Sequence, residues 1–174
     1  MFATVLTRRL ALAAGLLATT SLAWSHPDAA HVTAENAWAR ASVPGQQATG
    51  AFVRLTAKEP LRLVGVETPA AAVAEVHEMK MEGDVMRMRA IDSLDLPQGV
   101  AVELKPGGYH IMLQQLKSPL LKDTQVPITL VFKDGKDATS RLHMQVPVQA
   151  MAPKGGAAAP ADHAGHAGHG GHQH

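Results

Sequence analysis

Four side chains of two kinds recur at fixed intervals in the middle of the chain. His77 is followed after ten intervening residues by Met88, after twenty-one more by His110, and after one more by Met112. Two imidazoles and two thioethers make a soft, uncharged donor set. Such sulfur suits a soft monovalent ion, Cu(I), whereas zinc is usually held by Cys, His and carboxylates. The 174-residue sequence contains no Cys, which excludes thiolate metal sites, disulfides and cysteine nucleophiles. Without a thiolate, the His₂Cys set of blue-copper electron transfer is excluded as well. What remains is a site that holds copper rather than cycling it.

Strand alternation tests these candidates, because successive side chains point to opposite faces. From Tyr109 to Gln114, the apolar Tyr109, Ile111 and Leu113 share one face, and His110, Met112 and Gln114 share the other. With the first set on the core, His110 and Met112 point away from it together. His77 shares its face with Met79 and Met81, so Met79 is a candidate for lining the site. Met86 and Met88 alternate with Arg87 and Arg89, a pattern that fits either the buried face of an amphipathic strand or a ligand with a lining neighbour. His143 and Met144 are adjacent, hence on opposite faces; Met144 reads as core and His143 as surface.

The elements that must position these residues read as β throughout. Apolar runs at Ala48 to Leu55, Leu61 to Val66, Val73 to Met81, Val85 to Ile91, Val100 to Leu104, Tyr109 to Leu113, Val126 to Phe132 and Thr139 to Val148 are separated by turn signals such as Pro44-Gly45, Pro106-Gly107-Gly108 and Asp134-Gly135. About eight short strands at this spacing predict a single all-β antiparallel sandwich or barrel. Helical character is confined to the Ala-rich stretch around Thr68 to Ala74. The turn Glu82-Gly83-Asp84 predicts a hairpin over Val73 to Ile91, which brings His77 near Met86 and Met88.

Residues 1–25 have the parts of a secretory signal: Arg8-Arg9, an apolar run from Leu10 to Leu22, and small residues in Ala23-Trp24-Ser25. The expectation is export, cleavage after Ser25 and no membrane insertion afterwards, since the apolar run is shorter than the roughly 20 residues of a spanning helix. Losing Arg8 and Arg9 leaves 14 basic against 15 acidic residues, a formal charge of −1. Nothing in that balance points to nucleic acid. Residues 26–149 are expected to form the domain. Residues 150–174 are Ala-, Gly- and Pro-rich, with His163, His166, His169, His172 and His174; this composition predicts a disordered tail able to wrap several imidazoles around one ion, Cu(II), Zn or Ni alike.

Several stretches together resemble a known family: Asn36-Ala37-Trp38-Ala39-Arg40-Ala41, Pro44-Gly45, Thr49-Gly50-Ala51, Val85-Met86-Arg87-Met88-Arg89, and Leu104-Lys105-Pro106-Gly107-Gly108-Tyr109-His110-Ile111-Met112. They look like the periplasmic copper chaperones called PCu(A)C, over roughly His31 to Val148. The resemblance implies a cupredoxin-like β-sandwich binding one Cu(I) through His77, Met88, His110 and Met112, acting in the periplasm as a monomer. It further implies delivery to the copper subunit of cytochrome c oxidase together with a thioredoxin-like copper chaperone, and a tail that adds a Cu(II) site.

Two other readings differ in kind. In one, the chain is a periplasmic metal buffer or copper-resistance protein acting mainly through its His-rich tail. In the other, cleavage exposes His26, whose amine and imidazole begin a copper-oxygenase brace; no second brace histidine is identifiable. No catalytic triad, phosphate loop or paired acid/base carboxylates stand out, so the expectation is a protein that is not an enzyme.

Overall fold

Ten strands, most of them carrying apolar residues at every second position, are described in a computed structural model over residues 29–153. They are β1 (Val32–Arg40), β2 (Ala48–Ala57), β3 (Leu61–Glu67), β4 (Ala71–Glu82), β5 (Val85–Ala90), β6 (Leu94–Leu96), β7 (Ala101–Leu104), β8 (His110–Leu116), β9 (Gln125–Lys133) and β10 (Thr139–Gln149). The strand order is β5-β4-β8-β2-β1-β10-β9-β3-β6, with β7 also paired to β2. All pairings between these strands are antiparallel except that of β1 with β10, where Ala39 faces Val148 and Arg40 faces Gln149 in parallel. That seam joins the two layers of the sandwich. The expected signal segment and the histidines of the expected tail lie outside the described residues.

The core fills the space between the layers. One layer contributes Leu55, Ile111 and Leu113, and the other Leu63, Ile128, Leu130, Phe132, Val146 and Val148, all fully buried. Each such side chain contributes about 1.5–3 kcal/mol relative to exposure. Because Ile111 and Leu113 anchor β8 inward, His110 and Met112, which alternate with them, belong to its outer face.

Two expectations are corrected here. The Ala-rich stretch around Thr68 to Ala74 is not helical: β4 begins at Ala71 and pairs Val73 with Gln114 and Ala74 with Leu113. Ala propensity, at most about 1 kcal/mol per residue, yields to a full ladder of pairing with β8. The sandwich also has two strands beyond those read from the sequence. In β1 the register shifts by one residue between Glu35 and Trp38, and Asn36 adopts φ 53°. Such a bulge breaks the period-two pattern, and Asn tolerates the left-handed conformation it needs. The other strand, Leu94-Asp95-Leu96, is too short to show a period. Among the described residues no helix is long and apolar enough to cross a membrane.

Candidate metal centre

The hairpin predicted from Glu82-Gly83-Asp84 forms, with Glu82 opposite Val85 and Gly83 at φ 63° in a two-residue turn. Glycine first in such a turn matches the right-handed twist of the flanking strands. The register places His77 opposite Ala90, Met79 opposite Met88 and Met81 opposite Met86 on one face. Across the other edge of β4, His77 lies directly opposite His110, and Glu75 opposite Met112. The two imidazole centroids are 5.8 Å apart. Four of the sequence's candidates therefore share one face of three adjacent strands.

Met88 sits on β5 and His110 on β8, with β4 between them. Neighbouring strands are about 4.8 Å apart, so the two side chains must reach toward each other over β4. They meet: His110 Nε2 is 3.3 Å from Met88 Sδ. His110 Nδ1 donates to the Gly108 carbonyl at 3.0 Å, which leaves Nε2 as a bare lone pair. A lone pair facing a thioether is not a hydrogen bond, since neither atom has a proton to give. It is the arrangement of two donors able to share one ion, because bonds of about 2.0–2.3 Å set donors roughly 3–4 Å apart.

His77 carries a second sign. Its Nε2 donates to Glu75 Oε2 at 3.1 Å, leaving Nδ1 as the acceptor, and Nδ1 is buried with no hydrogen-bond partner. A buried polar atom left so costs about 1–3 kcal/mol, and a soft cation is one partner to which an imidazole lone pair can donate. The donor set thus fits copper. Among the described residues no three His, Asp or Glu side chains gather into a harder site.

His110 faces away from the core as expected, yet it is not solvated: both histidines are only 7% exposed, His110 lying under the reach of Met88. Met86 and Met88 are the reverse case. At 48% and 49% exposed they are not the buried face of an amphipathic strand, because β5 is the edge strand and lies beyond the core. Met79 and Met112 are half-buried on the same face. His143 is exposed beside Thr129, and Met144 packs against the core, so this pair stays outside the site.

Three supporting residues escaped the sequence reading. Glu75 holds His77 and also accepts weakly from Gln114 Nε2 at 3.4 Å. Its position two before His77 on the same strand face was the available signal. The Gly108 carbonyl accepts from both His110 Nδ1 and the Met79 amide, tying the turn before β8 to β4. Gly50 lies opposite Met112 on β2, and a Cβ there would come within 2.9 Å of the Phe52 ring, which is itself 4.5 Å from Trp38. Gly50→Ala is expected to displace Phe52 and cost about 1–3 kcal/mol of stability, read as a lowered denaturant midpoint with an unchanged slope.

On the opposite face of the hairpin, Arg89 is 2.9 Å from Glu78 and Arg87 is 2.9 Å from Glu82. Exposed pairs of this kind contribute about 0–1 kcal/mol each. Their use is to hold the register that faces Met88 toward His110. Glu75→Ala should weaken Cu(I) binding about 10- to 100-fold with little change in thermal unfolding, because a ligand's orienting partner is lost while the core is untouched. Unchanged affinity in a chelator competition would remove Glu75 from that role.

The family and the fold have counterparts among known proteins. The LpqE-like family model ("Putative lipoprotein LpqE-like") matches residues 32–148. A Leifsonia xyli subsp. xyli protein, "Putative lipoprotein Lxx21020", is 33% identical over 105 residues, which are 60% of this chain and 63% of that protein. The matched part is thus under two thirds of that relative's length. The copper-bound PCuAC domain from PmoF2 superposes with a TM-score of 0.55 at 22% identity, over 71% of this chain and 96% of that one. Apo-DR1885 from Deinococcus radiodurans gives 0.53 at 28% identity, over 82% and 96%. Its CuI form gives 0.52 at 27%, over 73% and 81%. With the family model spanning the sandwich from Val32 to Val148, the chain belongs to the LpqE-like family, and its cupredoxin-like β fold is that of the PCuAC domains.

Proposed function

We propose that this protein is an exported copper chaperone, working in the periplasm, that binds one Cu(I) through His77, Met88, His110 and Met112. The observation that carries the reading is the 3.3 Å approach of His110 Nε2 to Met88 Sδ, with Nδ1 already committed to Gly108. The unpartnered Nδ1 of His77 supports it. So do solved relatives described as a copper-bound PCuAC domain and as CuI-DR1885.

The chemistry is custody and exchange rather than catalysis. Two imidazoles and two thioethers are neutral, so they hold a monovalent ion without adding charge. Thiolates on a partner bind Cu(I) more strongly and displace these donors one at a time, with no change of oxidation state. The recipient in this proposal is the copper subunit of cytochrome c oxidase, reached with a thioredoxin-like copper chaperone. His163, His166, His169, His172 and His174 capture Cu(II), and a reductant outside this chain supplies the electron that converts it to Cu(I).

The test is an anaerobic Cu(I) competition titration of the full chain and of a version ending at Pro153. The expected result is one tight equivalent in the shorter version. No tight Cu(I) without the tail would overturn the four-residue site and leave a His-tailed metal buffer.

A further inference from the structure

The distal half of the β4–β5 hairpin carries a second feature that the four-residue centre does not use. From Met81 to Ala90 every residue is exposed, so this ribbon runs past the core. Its two faces differ in kind. One carries Glu78, Lys80, Glu82, Arg87 and Arg89, with ion pairs between Glu78 and Arg89 and between Glu82 and Arg87, as a solvated ribbon requires. The other is a ladder of methionines, Met79 opposite Met88 and Met81 opposite Met86.

Packing does not account for that second face. Met81 and Met86 are 54% and 48% exposed, so they bury little surface. A cross-strand apolar pair in an exposed ribbon is served best by β-branched or aromatic residues. Four methionines at these four positions supply sulfur instead. Met88 is committed to His110, which leaves three thioethers close together. Directly opposed Cβ atoms are about 5 Å apart and the next pair on the same face lies roughly 7 Å along the strand. With three rotatable bonds in each side chain, the sulfurs can converge on one ion.

We propose that Met79, Met81 and Met86 form a second site for a soft monovalent cation, Cu(I) or Ag(I), separate from the His77/His110 centre and beside it. Three neutral thioethers without imidazole bind such an ion more weakly than the mixed set. An ion held there lies next to Met88, whose sulfur touches His110. Passage inward then needs only one thioether to leave as another binds, with the oxidation state unchanged. Binding at the ladder does not depend on the His77/His110 reading; only that onward passage does.

The experiment is an anaerobic Cu(I) titration of the full chain labelled with ¹³C at the methionine methyls, resonances being assigned from single Met→Leu variants. Met88 and Met112 should shift with the first equivalent, and Met79, Met81 and Met86 in a later, distinct step. In Met81→Leu/Met86→Leu, which keeps the ladder apolar, the later step should weaken about tenfold or more while the Met88 and Met112 response is retained. The inference is overturned if Met81 and Met86 do not move at any Cu(I) level, or move only in step with Met88 and Met112. Should Met81 and Met86 respond while Met88 and Met112 stay still, the four-residue centre fails and the ladder stands.

Discussion

Replacing His110 and Met112 together by Ala should lower the Cu(I) affinity of the domain by a factor of at least about 10³. The magnitude follows from ligand chemistry, since removing even one orienting partner of a ligand costs about 10- to 100-fold and this variant removes two of four donors. The remaining His77 and Met88 could hold an ion only in a two-coordinate fashion. The variant should stay folded, because both residues project from the outer face of β8 while Ile111 and Leu113 hold its inner face in the core. An anaerobic chelator competition reads the affinity, and circular dichroism of the same sample reads the fold. Retained tight binding in a folded variant would transfer the site to other residues, with the Met79/Met81/Met86 ladder and the tail histidines as the places to look.

Phe132→Ala should produce the largest loss of stability, about 3–5 kcal/mol. Phe132 has no exposed surface and is the largest of the fully buried side chains. It sits on β9 opposite Leu63 of β3 and Ser140 of β10, in the middle of its layer. Truncation removes the ring's transfer free energy and leaves a cavity that rigid neighbours fill only in part. For a domain of this size the unfolding midpoint should fall by about 10–20 °C. Copper stoichiometry below that midpoint should be unchanged, since β9 lies in the layer opposite the His/Met face. A drop of only a degree or two would mean that the two layers pack less tightly than the buried core indicates.

The difference between these two variants follows the division of labour within the fold. Core residues such as Phe132 decide whether the sandwich forms, whereas His110 and Met112 ride on its outer face. Even so, the outer face is not a solvated surface at the histidines. His77 and His110 are buried because the edge hairpin extends alongside them and Met88 reaches over β4. Edge strands are usually kept short or charged to avoid pairing with other chains, and β5 follows this on one face with Arg87 and Arg89. Its methionine face is the exception, and it is the face turned to the imidazoles.

By itself the sequence determined the donor chemistry, the absence of thiolate, the β class and the side of β8 to which His110 and Met112 belong. These depend on residue type and on a two-residue period, both of which are local. It also determined the β4–β5 hairpin, because a Glu-Gly-Asp turn between apolar runs specifies its own closure. Beyond its reach were the start of β4 at Ala71 and Ala72, the bulged strand β1, the parallel seam of β1 with β10, and the supports from Glu75, Gly108 and Gly50. Tertiary structure alone decided that Met88 on the edge strand meets His110 two strands away, and that Met86 and Met88 are exposed while His77 is buried. The reason is physical: alternation says which residues share a face, but only the pairing order of distant strands says which faces become neighbours and which lie beyond the core.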